Sequence, residues 1–399
     1  MYSISSLNSQ KIVSVFTFRE RCPGLKNLLF AWNFAIFVIP PFQKPGWKEG
    51  FSVRYKFVMK QLKQKVEKLG KILGEKTKNI VVVSHTNPDG DAVGSSMAWA
   101  QVLRSLGHSV KCVVPNKYPY FLDWMTGIED VIIYKGREAE TDAIVNDADI
   151  IFCLDFNQID RLEALSDAIH ANEDAERILI DHHLDPPEKE YDLMISDHES
   201  CSTSYLVYKV AELLTGTDVI TKASAEALYV GIMTDTGNFS FSYLTADLFR
   251  AVAILVEKGI DIPAINSAVY NSYSEERVRL LGYVLINKMH IIQDGMVAYI
   301  PLKERELRRF NFQIGDSEGF VNYPLTIGDV RMSAMFLQTR KYIRISLRSR
   351  GDIDVNIFAR RYFQGGGHRN AAGGKSFVTM EETVEHFKSA VAEFFSETD

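Results

Sequence analysis

Four short apolar runs between residues 79 and 183, NIVVVSH, SVKCVVP, DIIFCLDF and RILIDHH, most constrain what this chain can fold into. Each is too short for a helix and apolar at successive positions, the pattern of a strand covered on both faces. Helical segments intervene: Ala92 to Leu106, closed by Gly107, follows the first run, and a polar-faced helix to about Ala171 follows the third. Strands joined through helices need crossover connections, so the expected fold class is α/β, a mostly parallel sheet flanked by helices. Ligands of such sheets gather at the carboxyl ends of the strands.

Those ends carry chemistry. The first run leads into SHTNPDGDAVG, which places His85, Asp89 and Asp91 close together; the third ends in Asp155 and the fourth in Asp181, His182 and His183. A further carboxylate, Asp235 in MTDTGNFSF, ends an expected buried helix. Taken singly, several have a plainer reading: Asn-Pro and Asp-Gly are turn dipeptides, and Asp155 and Asp235 suit a helix cap or a turn as well as a metal. Adjacent histidines at the end of a buried strand are harder to place without partners. The topology sends all these groups to one rim, where they form a candidate centre. Carboxylates mixed with imidazoles, without thiolates, suit Mn²⁺ or a similar divalent ion in preference to structural zinc, and one carboxylate can bridge two such ions. Pro88 and Gly90 are expected to shape the loop, and Gly94 to let the next helix pack close to the sheet.

Composition narrows the partners. The chain of 399 residues is 46% hydrophobic and 24% charged, an ordinary globular balance with room for two or three domains. Its net charge of -6 lacks the basic field of a long-duplex or membrane-surface binder, so a nucleic-acid substrate should be short and held locally. Cys22, Cys112, Cys153 and Cys201 stand far apart with no C-x-x-C, which points to a reducing cytoplasm and not to a disulfide framework. Residues 27 to 43, NLLFAWNFAIFVIPPFQ, follow Arg19, Arg21 and Lys26 and faintly resemble a signal-peptide core, but the run is short, ends in Pro40 and Pro41, and has no cleavage signal. Regular periodicity begins with the amphipathic MKQLKQKVEKLGKIL at Met59, so residues 1–58 are expected to be an extension outside the core, with Met59 a candidate true start.

From Ser202 to about Lys288 the pattern is helical, and the charged segment EERVRLLGYVLINKM after Asn271 and Ser272 is the expected connector. Beyond it IIQDGMVAYIPL, VRMSAMFLQTR and KYIRISLRSR read as strands, with Asp-Gly marking a hairpin. GGGHRNAAGG precedes a final amphipathic helix; its glycines suit a tight turn or a backbone that approaches a phosphate, with Arg348 and His368 adding donors. The expected division is a catalytic domain at 59–270, a connector helix at 271–289 and a smaller α/β substrate domain at 290–399.

NPDGDAVGS, LDF, IDHH and MTDTG, in this order, resemble the successive motifs of the DHH phosphoesterase superfamily, named for Asp-His-His. GGGHRNAAGG, with ISLRSRGDIDVN before it, resembles the DHH-associated C-terminal domain, and the combination is similar to the bacterial oligoribonuclease and 3'-phosphoadenosine 5'-phosphate (pAp) phosphatase branch. The resemblance implies two Mn²⁺ ions, with Mg²⁺ or Co²⁺ as substitutes. His85, Asp89 and Asp155 would hold one, and Asp91, Asp155, His182 and Asp235 the other, with Asp155 bridging. It implies a catalytic role for His183 beside Asp155, and substrate contacts from Arg348, Ser349, Gly365, Gly366, Gly367 and His368, with Arg369 a neighbour. The implied substrates are nanoRNA, pApA and pAp, with no long duplex and no membrane partner; a homodimer is compatible with this. The alternatives are a cyclic-dinucleotide phosphodiesterase, a single-strand exonuclease and a non-catalytic nucleotide sensor.

Overall fold

The four apolar runs become β1, β2, β4 and β5 of a six-stranded parallel sheet in the order β3-β2-β1-β4-β5-β6, whose edge strands β3 and β6 the runs did not announce. Its elements run α1 (Trp47–Leu73), β1 (Asn79–Ser84), α2 (Gly90–Ser105), β2 (Ser109–Val114), β3 (Ile132–Ile133), α3 (Glu138–Asn146), β4 (Ile150–Leu154), α4 (Leu165–Ala171), β5 (Glu176–Asp181) and β6 (Leu193–Ser196). Ile80 and Val82 face one core, shared with Trp99 of α2; Val81 and Val83 face another, shared with Leu165 and Ile169 of α4. Burial on both faces explains why NIVVVS shows no polar alternation. The chain winds outward from β1 to β3 and then returns to place β4 on the other side of β1. The carboxyl ends of β1 and β4 therefore flank the point where strand order reverses, the place where open α/β sheets bind ligands.

This computed structural model describes residues 47–74, 76–240 and 243–397. The extension expected over residues 1–58 lies for the most part outside the described residues. The amphipathic pattern read from Met59 belongs to α1, which begins upstream at Trp47. No helix among the described residues is long and apolar enough to cross a membrane.

Helices α5 (Thr203–Thr215), α6 (Lys222–Asp235), α7 (Ala246–Glu257) and α8 (Ile262–Tyr270) follow the sheet. Helix α2 starts at Gly90, before the expected Ala92, because the Asp89 side chain accepts from the N–H groups of Asp91 and Ala92 and caps it. Gly94 does not serve helix-on-sheet packing as expected. A Cβ there would lie 2.4 Å from the Ala227 carbonyl oxygen of α6, so the close approach is between helices. The complementary Gly231 of α6 would place a Cβ 1.9 Å from Ser204 Oγ and 2.5 Å from Asp91 Oδ1.

Helix α9 (Glu275–Tyr283) and a π turn (Val284–Lys288) occupy the expected connector and lead into the second sheet. Its elements are β7 (His290–Ile292), β8 (Val297–Leu302), α10 (Glu304–Arg309), β9 (Met332–Gln338), β10 (Ile343–Ser349), α11 (Val355–Tyr362), β11 (Gly366–His368), β12 (Ala371–Ser376) and α12 (Met380–Ser396), with strand order β11-β12-β10-β9-β8-β7. The Asp-Gly hairpin is present between antiparallel β7 and β8. GGGHRNAAGG is itself a hairpin, β11 against β12, and not only a turn before the last helix. Along β10, Ile343, Ile345 and Leu347 pack with Phe358 of α11 and Phe387 of α12. By strand alternation Arg344, Ser346 and Arg348 occupy the opposite face, which no helix of that core covers.

Candidate metal centre

Each residue of the first-domain rim reaches the centre through a local device. Asp89 spends Oδ1 on capping α2, and His85, Asp89 and Asp155 bring one ligand atom each within 4.8 Å of one another. His85 Nδ1 lies 2.9 Å from the Thr86 carbonyl, so that nitrogen donates and Nε2 is left as the ligand, 3.6 Å from Asp155 Oδ2. Asp155 follows β4 with φ +64°, a left-handed conformation that Asp tolerates better than most residues. Its other oxygen, Oδ1, lies 3.5 Å from His182 Nε2 and accepts from the Thr203 hydroxyl at 2.9 Å.

His182 repeats the arrangement of His85. Its Nδ1 sits 3.2 Å from the Ser200 carbonyl, and its Nε2 faces Asp235 Oδ2 at 3.1 Å and Asp91 Oδ2 at 3.9 Å. Asp91, fully buried, accepts from the Thr203 and Ser204 N–H groups at 2.6 and 2.8 Å, so the N-terminus of α5 opposes the cost of its burial. Asp235 closes α6, and the contact of α6 with α2 brings it beside Asp91. Thus the structure gathers His85, Asp89, Asp91, Asp155, His182 and Asp235 around one carboxylate whose two oxygens face different imidazoles.

The electrostatics favour a cation. Burial, together with Asp155 and Asp235, drives the Asp91 carboxyl well above the usual range, and burial raises that of Asp235 to about 6 despite His182. Burial also acts on Asp155, but His85, His183 and His182 outweigh it and hold the carboxyl below the usual range. Carboxylates forced together with too little positive charge are relieved by a divalent ion, and oxygen and imidazole donors without thiolate suit Mn²⁺ or Mg²⁺ chemistry.

His183 stands beside this group. Asp181 accepts from its backbone N–H at 3.1 Å and holds its Nδ1 at 2.7 Å, leaving Nε2 directed away from Asp181. Strand β11 brings His368 from the second domain to ring-centroid distances of 4.4 Å from His182 and 4.6 Å from His183. Burial lowers both His183 and His368 below the ordinary imidazole value, for His368 with added repulsion from His182 and His183.

The other expected substrate residues are placed differently. Arg348 is partly buried on the β10 face, with Asp235, Asp89 and Glu318 the carboxylates acting on it. The Ser349 hydroxyl donates to the Ile353 carbonyl at 2.6 Å and accepts from Asn370, so it pins the hairpin. Gly365 and Gly367 meet the need for glycine within the protein: a Cβ would lie 1.9 Å from the Gly373 oxygen or 2.6 Å from the Ala371 oxygen, both on β12. Gly366 has more room, and Arg369 is exposed against Asp352. Thr203, Asp181 as the holder of His183, and Glu318 were not singled out from the sequence. The run of Ser202, Thr203 and Ser204 ahead of an apolar helix is a capping signal that could have pointed to α5. Burial and the facing Asp89 push the Glu318 carboxyl up to about 8, and no local pattern announces it.

The DHH family N-terminal domain matches residues 79–232, and the DHHA1 domain matches residues 295–397. A probable bifunctional oligoribonuclease and PAP phosphatase NrnA of Streptococcus mutans is 27% identical, over 76% of this chain and 91% of its own length. The bifunctional oligoribonuclease and PAP phosphatase NrnA of Bacillus subtilis is 28% identical, over 75% of this chain and 89% of its own. The crystal structure of an exopolyphosphatase-related protein from Bacteroides fragilis is 40% identical with a TM-score of 0.77, covering 83% of this chain and 96% of that one. The chain belongs to the DHH phosphoesterase family and is a metal-dependent phosphoesterase built of a DHH domain followed by a DHHA1 domain.

Proposed function

We propose that this protein is a Mn²⁺-dependent hydrolase of short oligoribonucleotides such as nanoRNA and pApA, releasing nucleoside 5'-monophosphates, and of pAp, releasing AMP. The observation that carries the reading is the division of Asp155, which turns Oδ2 to His85 and Oδ1 to His182. A carboxylate so placed suits a bridge between two ions: His85, Asp89 and Asp155 would hold one, and Asp91, Asp155, His182 and Asp235 the other. When bound, two divalent ions stabilise charge on a phosphoryl group and lower the pKa of the attacking water. The names of the relatives support the substrate class, as does a net charge of -6, which disfavours long polyanions. Cys112, Cys153 and Cys201 are free thiols, which suits a cytoplasmic setting.

The chain's own groups then act on the phosphate. Asp181 holds His183 by Nδ1 and stabilises the imidazolium, so Nε2 is suited to carry a proton to the leaving ribose oxygen. Neutral His368 and the Arg348 guanidinium orient the phosphate from the second domain. Gly366 and Gly367 belong to the strand that carries His368, Gly365 leads into it, and Ser349 anchors the end of β10 that carries Arg348.

Turnover of pApA, a five-residue RNA, pAp, cyclic di-AMP and pyrophosphate, compared side by side with Mn²⁺, tests the reading. Hydrolysis of the first three is expected. Activity confined to cyclic di-AMP would transfer the assignment to a cyclic-dinucleotide phosphodiesterase.

A further inference from the structure

A carboxyl group with no place in the chemistry above feels the charge of Asp89 in the metal centre. Glu318 lies between α10 and the short helical turn Phe320–Thr326, on a loop that is held firmly. Its carbonyl accepts from Arg277 Nη2 at 2.9 Å. Arg277, on α9, is 4% exposed, with its guanidinium 3.4 Å from the centre of the Tyr273 ring and 5.1 Å from that of Phe320. The neighbouring Ser317 hydroxyl accepts from Arg344 Nη2 at 3.2 Å. The backbone is thus fixed, yet among the described residues the Glu318 carboxyl itself makes no hydrogen bond or ion pair. The charges acting on it are Asp89 of the metal centre and the arginines Arg344, Arg277 and Arg348. Arg344 and Arg348 lie on one face of β10, two residue pairs apart in the same alternation.

A polar group that is partly buried and has no partner inside the protein is a candidate for a partner that arrives with the ligand. The surroundings indicate which part of the ligand. Guanidinium groups suit phosphate. A carboxyl, charged or neutral, presents two oxygens on one edge and suits vicinal hydroxyls, as in the recognition of ribose by acidic residues. Arginines beside a carboxyl thus match phosphate beside ribose.

We propose that Glu318 reads the sugar. Its carboxyl group hydrogen-bonds the ribose hydroxyls of a nucleotide whose phosphate lies near Arg348 and Arg344, and the site thereby selects ribonucleotides over deoxyribonucleotides. This rests on the short-oligonucleotide reading given above. A deoxynucleotide lacks the 2'-hydroxyl and leaves the carboxyl desolvated without a full set of partners, the situation in which a binding site discriminates most strongly.

The test compares kcat/KM of the full-length, Mn²⁺-loaded protein on pApA and on its deoxy counterpart pdApdA, for wild type, Glu318→Gln and Glu318→Ala. Wild type is expected to prefer the ribo substrate. Both variants should lose about 10- to 100-fold on pApA and clearly less on pdApdA, which keeps only the 3'-hydroxyl of the pair, as expected for loss of a strong hydrogen bond to the sugar. The isosteric Gln variant preserves packing, and metal stoichiometry and thermal melting check that the centre and fold persist. Equal losses on both substrates would assign Glu318 to holding the loop, and unchanged rates on both would remove it from the substrate; either overturns the proposal. A wild type inactive on both dinucleotides but active on cyclic di-AMP would instead overturn the oligoribonucleotide reading, and sugar selection with it.

Discussion

At the scale of single residues the site depends on how each side chain divides its atoms between protein and ligand. His85 and His182 commit Nδ1 to backbone carbonyls, and His183 commits Nδ1 to Asp181. These partners fix which nitrogen faces the centre. Asp181→Asn should keep metal stoichiometry but lower kcat by about 10- to 100-fold, since the amide no longer stabilises a protonated His183. Isothermal titration with Mn²⁺ paired with turnover measures both, and loss of an ion in this variant would make Asp181 a ligand. Asp155→Ala should lose both ions together with activity, whereas retention of one tight ion would argue against bridging. Protons compete with the metal here. The Asp235 carboxyl, raised by burial to about 6, and that of Asp91, raised well above its usual value, bind protons more readily than ordinary carboxyls. Below about pH 6 an incoming ion must displace them, so Mn²⁺ affinity should fall as pH drops through that value, by up to about ten-fold per displaced proton per unit. Titrations near pH 5.5 and 7.5 that gave equal affinity would refute this.

At the scale of elements, the contact between α2 and α6 sets the distance from Asp91 to Asp235. It is close because glycines face carbonyls and side chains across it, at Gly94 and Gly231. Gly231→Ala places a methyl against Ser204 Oγ and Asp91 Oδ1, so α6 or Asp91 must shift. Overpacking of this kind costs about 1–3 kcal/mol, and the variant should show a lower melting temperature together with weaker Mn²⁺ binding. Unchanged metal affinity would show that the helices adjust without moving Asp91. Strands β1, β2, β4 and β5 of the first sheet were legible from their apolar runs, and the β7–β8 hairpin from Asp-Gly, whereas the short edge strands β3 and β6 were not. The packing partner of Gly94 was not legible, because a glycine records that space is needed and not which element fills it. For the same reason GGGHRNAAGG suited a tight turn or a phosphate-approaching backbone equally, and did not announce the approach of β11 to β12 that Gly365 and Gly367 allow.

At the scale of the molecule, the second domain reaches the metal centre through His368 and is tied to the first by ion pairs. Lys375 Nζ lies 3.0 Å from Glu163 Oε1, and Arg360 Nη1 lies 3.1 Å from Asp185 Oδ2. All four side chains are more than a third exposed, and such pairs contribute about 0–1 kcal/mol each. Ion pairing is thus a small part of what joins the two domains, and the backbone at Gly315 also approaches Pro119 and Phe121. Lys375→Glu should lower kcat/KM by up to about five-fold at low salt, and adding Glu163→Lys should restore it. A double variant as impaired as the single one would show that the pair does not help to place the second domain.

The sequence by itself determined the parallel first sheet and the rim that carries His85, Asp89, Asp91, Asp155, His182 and His183. Burial on both faces and helical crossovers are local patterns, and they leave strand ends on one edge. The tertiary structure decided the pairings at that rim: the Thr203 N–H against Asp91 across 112 positions of the chain, the split of Asp155 between His85 and His182, and the arrival of His368 from the second domain. Contacts of such long range carry no periodic signature, because each partner satisfies its own local geometry equally well before the chain closes.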